Sequence, residues 1–204
     1  MPRPRKVSDD EVFAAAHRAM NRLPPWEFTL AEIAKEAGVT AGALVQRFGS
    51  KRGLLLGLMN AWSGGTRGML DQMRAANASP LAAVRAWAEC FAGMGESPGG
   101  MAHHLAWLQQ DMADPAFRRH VQAQTRETTA ILREWLEEAV QAGELSPKAD
   151  PGALARATQA MLGGSLIAWG FRPEGSAKAW VRRDLDVLLG PWMARPRARR
   201  RRGP

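Results

Sequence analysis

The chain has 204 residues, enough for one large or two small domains with a real core. No apolar run approaches the roughly 18 residues of a membrane span, the N-terminus lacks the apolar core of a secretion signal, and a single cysteine, Cys90, excludes an internal disulfide or a cysteine metal cluster, so a cytoplasmic protein is expected. The formal charge of +8 sits at the ends: Arg3, Arg5, Lys6 and six arginines from Arg195 to Arg202 are nine of the 28 basic residues, which leaves 19 against 20 acidic ones, a net of −1, between positions 7 and 194.

The arm of residues 1–6 is basic and precedes a capping box, Ser8 with Glu11, which starts a first helix. Val12, Phe13, Ala16, Ala19, Met20 and Leu23 form its apolar stripe, and Pro24 and Pro25 end it. Such an arm suits a minor groove or a run of phosphates.

A second capping box, Thr29 with Glu32, sets a helix start near Leu30. Leu30, Ile33, Ala34 and Ala37 follow at helical spacing, and Gly38 supplies the left-handed residue that stops the helix. Thr40 is the next N-cap, and a helix follows to about Phe48 with Leu44 and Phe48 on its buried face. Small Ala34 permits a close approach of the two helices. Two short helices joined by this sharp turn predict a helix-turn-helix, a unit that lays its second helix in the major groove of DNA. Gln46 and Arg47 are the longest polar side chains on that helix and are candidates for base or phosphate contact. Ser50 caps a further helix whose first residue, Lys51, opposes the helix dipole unless a phosphate sits nearby.

Phe28-Thr29, Ile33-Ala34, Ala37-Gly38-Val39-Thr40, Gly42, Leu44, Phe48, Ser50-Lys51 and Leu54-Leu55 together resemble the tetracycline-repressor (TetR) family of bacterial regulators. The resemblance covers about residues 10 to 60. It implies an all-α homodimer that binds a palindromic operator in double-stranded DNA and is released by a small apolar or amphipathic ligand. It places Thr40, Ala41, Gly42, Ala43, Val45, Gln46 and Arg47 in the major groove, with Thr29 and Lys51 on phosphates. Val45 stands where the family often has Tyr; it cannot bond a phosphate but can touch a thymine methyl.

Beyond Lys51 the pattern is helical throughout. Leu55, Leu58, Met59, Trp62, Met69, Leu70 and Met73 mark a long fourth helix, weakened by Gly57, Gly64, Gly65 and Gly68. Leu81, Val84, Trp87, Ala88, Phe91 and Met94 mark a fifth, and Gly95 to Gly100 break it. A short sixth carries His103, His104, Trp107, Leu108 and Met112. Asp114-Pro115 and Asp150-Pro151 open a seventh and an eighth helix, each with an N-cap followed by Pro. Ser176 opens a ninth. Met73, Trp87, Phe91, Met94, His103, Trp107, Met112 and Trp135 are candidates for an adaptable apolar ligand pocket. By resemblance the last two helices form the dimer interface, with Leu162, Gly164, Leu166, Trp180, Leu185 and Leu188 as candidates.

The expected fold is therefore all-α with about nine helices. A basic arm spans 1–6, a helix-turn-helix domain 7–52, a ligand-binding and dimerisation domain 53–192, and an Arg-rich tail 193–204. No nucleophile–base pair or phosphate-binding glycine loop is present. His103 and His104 point about 100° apart on a helix, too far to share a metal. No enzyme activity, cofactor or metal is expected. The sequence leaves two alternatives to a ligand-released repressor: a helical carrier or enzyme with a vestigial helix-turn-helix, and a DNA-coating protein driven by the tails.

Overall fold

The computed structural model describes residues 7–20, 22–63, 65–93 and 97–194. The arm at 1–6, Asn21, the side chains of Trp62 and Ser63, Gly64, Met94, Gly95, Glu96 and the tail at 195–204 lie outside the described residues.

Ten α-helices follow one another among the described residues: α1 (Asp9–Met20), α2 (Leu30–Ala37), α3 (Ala41–Phe48), α4 (Lys51–Ser63), α5 (Thr66–Ala75), α6 (Pro80–Ala92), α7 (Pro98–Ala113), α8 (Pro115–Gln141), α9 (Pro151–Phe171) and α10 (Ala177–Leu189). The expected long fourth helix is two helices, one ending at Ser63 and the next starting at Thr66. The sixth helix is longer than the sequence pattern suggested. Its start lies at Pro98, where the Ser97 hydroxyl accepts from the Gly100 amide at 3.0 Å, so Gly99 and Gly100 are helical rather than part of the break.

Caps fix the other boundaries. Ser79, Asp114, Asp150 and Ser176 each accept from an amide in the first turn of the helix they precede. The Ser8–Glu11 box closes in both directions, at 2.8 and 3.2 Å.

Two apolar clusters organise the chain. The head cluster gathers Val12, Phe13, Ala16, Ile33, Leu44, Leu54 and Leu58 from α1–α4 and Phe28 from the segment before α2, and receives Trp107 of α7 and Phe117 of α8. The head core thus extends into α4, past the boundary drawn at residue 52. At Gly57 a Cβ would stand 3.2 Å from the Phe13 ring, so this glycine serves close packing of α4 on α1. The body cluster joins α5–α10 around Leu81, Trp87, Ile131, Leu132, Trp135, Leu162 and Leu185. After α10 a short turn returns to the α8–α9 loop, where Ser146 donates to the Trp192 carbonyl at 2.7 Å and Ala194 to that of Glu144 at 3.0 Å.

Candidate nucleic-acid interface

The outer end of the head is built by α2, the turn and α3. Thr29 caps α2, its hydroxyl accepting from the Glu32 amide at 3.2 Å. Gly38 ends the helix with φ 69° and ψ 32°, a conformation that a side chain would strain. Thr40 caps α3 by accepting from the Ala43 amide at 3.1 Å. Each hydroxyl uses a lone pair for its cap, so the O–H of each is still a donor. Both threonines are exposed.

Leu44 is fully buried and Phe48 packs on Phe13 with ring centroids 5.7 Å apart. These anchors turn the opposite side of α3 outward. Gly42, Val45 and Gln46 are exposed, Val45 by 49%, while Ala41 and Ala43 are half-buried. The surface offered is an apolar methyl pair, one amide and a stretch with no bulky side chain at Gly42, which is compatible with close approach to base edges.

Two of the basic candidates are engaged inside the chain. Arg47 donates to the Val7 carbonyl at 2.8 Å and pairs with the Asp9 carboxylate, so it ties α3 to the start of α1. Lys51 donates to the Pro25 carbonyl at 2.6 Å and lies 5.8 Å from the Phe28 ring centre, and burial pushes its ammonium below the usual lysine range. At the start of α4 the Lys51 ammonium thus has a backbone carbonyl partner within the chain. Neither contact was legible, because both partners are distant in sequence. Beside Lys51, Trp26 is 72% exposed in the turn before α2, a feature the sequence reading passed over.

Residues 12–58 match the family described as bacterial regulatory proteins, tetR family, and residues 81–190 match the BetI-type transcriptional repressor C-terminal family. The chain belongs to the TetR family. It is accordingly a DNA-binding transcriptional regulator and not an enzyme. Solved TetR-type structures share its fold. A TetR regulator from Haloarcula marismortui is 13% identical, covers 91% of this chain and 97% of its own, and superposes with a TM-score of 0.74. SmeT, the repressor of the Stenotrophomonas maltophilia multidrug efflux pump SmeDEF, is 21% identical over 92% of this chain and 91% of its own, with a TM-score of 0.65. The ketosteroid transcriptional regulator KstR2 of Mycobacterium tuberculosis is 17% identical over 92% and 95%, with a TM-score of 0.61. No curated protein matches the chain.

In this TetR-family body the candidate ligand residues separate. Trp87, Trp135, Met73 and Phe91 join the body core, with Trp87 and Phe91 rings 6.0 Å apart. Phe91 meets His104 edge-on at 6.4 Å, and burial lowers the His104 pKa. His103 is half-buried and its Nδ1, like Thr158 Oγ1, is a buried polar atom without a hydrogen-bond partner. Trp107 belongs to the head cluster instead, stacked edge-on to Phe28 at 5.0 Å and donating its indole N–H to the Leu23 carbonyl at 3.1 Å. Met112 is 64% exposed and lines a crevice between α7 and α8. Met94 lies outside the described residues.

The dimer candidates divide between buried and exposed positions. Leu162, Leu166 and Leu185 are 1–2% exposed inside their own subunit's core, and Leu188 packs against it. Trp180 donates to the Glu174 carbonyl at 2.6 Å and holds Arg183 at 5.9 Å from its ring. Gly164 faces solvent, with nothing within 4 Å of where a Cβ would be among the described residues. Because the second half of α9, from Ala160 to Phe171, has apolar or small residues on every side, its buried side has no phase in the sequence. The outward strip is Gly163, Gly164, Ile167 and Phe171 of α9, with Val187 of α10; Phe171 is 83% and Val187 72% exposed.

Proposed function

We propose that this TetR-family regulator is a cytoplasmic homodimeric repressor that reads a palindromic operator with α3 and leaves it when a small apolar or amphipathic molecule binds the body. The observation that carries the DNA half is the outward set Thr29, Thr40, Gly42, Val45 and Gln46, held rigid by two capped helices and by buried Leu44. In this reading Gln46 contacts a base and the threonine hydroxyls donate to phosphates. Thr40 to Ala43 line the groove. Arg47 acts by positioning α3 through Asp9 and Val7, and Lys51 keeps two donors beyond the Pro25 bond for the backbone.

The exposed strip of Gly163, Gly164, Ile167, Phe171 and Val187 supports pairing through α9 and α10. Glycines in such a strip let two helices approach closely, and an apolar face of this kind asks for a partner of the same kind across a two-fold axis. Two subunits then present two α3 helices, and an operator with inverted symmetry follows. Release by ligand is supported by likeness to SmeT and KstR2, whose names record regulation tied to drug efflux and to ketosteroids. Ligand would favour a dimer whose two α3 helices no longer match successive major grooves.

The test is selection from a random duplex library by the full-length protein at about 150 mM salt, where exposed charges are already screened. Enrichment of an inverted repeat is expected. Binding without an enriched motif would mean that the arginine-rich ends carry affinity, and the repressor reading would fail.

A further inference from the structure

The crevice between α7 and α8 is lined by Leu108, Asp111 and Met112 on one side and by Arg118, Val121, Gln122, Thr125 and Arg126 on the other, and its volume is about 430 Å³. That volume admits a small organic molecule. Most of its wall is apolar. Its polar groups come from Asp111, Gln122, Thr125, Arg118 and Arg126, and the Asp111 carboxyl has no hydrogen-bond or ion-pair partner among the described residues. Its pKa is pushed up to about 6, with burial as the cause. A guanidinium close to the carboxylate would pull the value down; Arg118 instead donates to the Met112 carbonyl at 3.0 Å. Arg118 and Arg126 are both exposed, at the rim, and are the other charged groups that line the crevice.

We propose that this crevice is an effector site for an organic ammonium with a compact apolar body, its N–H groups on Asp111 and its chain between Leu108, Met112 and Val121. A partly buried carboxylate with no partner in the chain is a poor resting state, and a hydrogen-bonding cation is the group that completes it. The apolar wall selects the rest of the molecule. That occupancy is read out as DNA release rests on the repressor reading above; the binding itself does not.

The location supplies the coupling. The α7–α8 corner grips the head by two bonds next to the crevice. Trp107, adjacent to Leu108, donates to the Leu23 carbonyl in the head. Asp114, three residues past Asp111, caps α8 and takes a two-pronged bond from Arg52 of α4 at 2.6 and 3.0 Å. A molecule wedged between α7 and α8 bears on both contacts, and through them on the angle of α3. One element with two arrangements, biased by both sites, is what such coupling requires.

The experiment is calorimetric titration of full-length protein with octylammonium, octanol and octanoate at pH 7.5, repeated with Asp111→Asn. Asn keeps the shape and removes the charge, and since Asp111 has no partner the variant folds. Octylammonium is expected to bind saturably and more tightly than the other two. It should weaken at least tenfold in Asp111→Asn, and by about tenfold for the wild type between pH 7.5 and pH 5, where a carboxyl with this pKa is about nine-tenths protonated. Leu108→Trp, which fills the crevice, should abolish binding of all three. Equal affinity for octanoate, or undiminished affinity in Asp111→Asn, overturns the assignment. Octylammonium should also lower affinity for the duplex enriched by the wild type. Binding without release overturns the coupling alone, whereas a wild type that enriches no duplex defeats the repressor reading and leaves the ammonium site standing.

Discussion

Trp107 is the side chain on which head and body depend most directly, and its truncation has a calculable cost. The indole is 7% exposed, packs on Phe28 at 5.0 Å and donates to the Leu23 carbonyl at 3.1 Å. In Trp107→Phe the hydrogen bond goes, about 1 kcal/mol, with the Leu23 carbonyl left without that donor. The smaller ring withdraws further apolar area, about another 1 kcal/mol. For a chain of this length each kcal/mol moves the melting temperature by about 2–4 °C, so a fall of about 4–8 °C is expected. Trp107→Ala opens a cavity between the two clusters and costs about 3–5 kcal/mol. At that level the head, which borrows Trp107 and Phe117 from α7 and α8, should unfold ahead of the body. Scanning calorimetry should then resolve two transitions where the wild type shows one. A Trp107→Phe protein that melts within a degree of wild type, or a Trp107→Ala protein that melts as one wild-type-like transition, would refute the reasoning.

Gln46→Ala should leave folding untouched and lose about 1–3 kcal/mol of operator discrimination, the worth of one good base contact, measured by competition between the enriched duplex and random DNA. Arg47→Ala and Asp9→Ala should weaken DNA binding alike, through α3 placement, with stability losses of up to about 1 kcal/mol and little further effect in the double variant; loss of binding in Arg47→Ala alone would show that Arg47 reads DNA itself. Gly164→Leu and Phe171→Asp should yield monomers by sedimentation, whereas Leu185→Ala should destabilise each subunit by about 2–5 kcal/mol; dimers of unchanged affinity in the first two would exclude the α9 strip as the interface. Acid should act in two windows. Asp114, held at about 2 chiefly by its bond to Arg52, stabilises the fold above its ordinary value of 3.8, and that gain fades as pH falls from there towards 2. Asp111, raised to about 6, opposes folding when ionised, so stability should rise as pH drops from about 7 to 5, and Asp111→Asn should flatten that rise in urea unfolding. Deletion of residues 195–204 removes six arginines and should reduce the salt slope of DNA binding by up to about 5 without altering the enriched motif; an unchanged slope would leave the tail without a role in binding.

The sequence determined what is local. The capping box at Ser8, the hydroxyl cap at Thr29, the stop at Gly38 and the Asp-Pro starts at 114 and 150 each depend on residues within four of one another, so the boundaries and the helix-turn-helix were readable. So were Leu44 and Phe48 as the inner side of α3, because that helix has one apolar face. Phase was lost where a helical stretch has apolar or small residues on every side. In α9 the sequence could not say that Leu162 and Leu166 turn inward while Gly164 and Phe171 face out, since only the packing of α8 and α10 selects the side.

Pairing across distance was equally hidden. Arg47 with Asp9, Lys51 with the Pro25 carbonyl and Arg52 with Asp114 join segments 26 to 62 residues apart. The packing of Trp107 into the head cluster, 84 residues from its Leu23 partner, belongs with these. The Asp111 crevice had a faint signal, a carboxylate between Leu108 and Met112 on an apolar stripe, but its lack of a partner is a property of the assembled α7–α8 pair. Spacing along one helix is fixed by covalent geometry and can be read from the chain. Which charge finds which partner, and which face meets solvent, is decided only when separate helices compete for the same space.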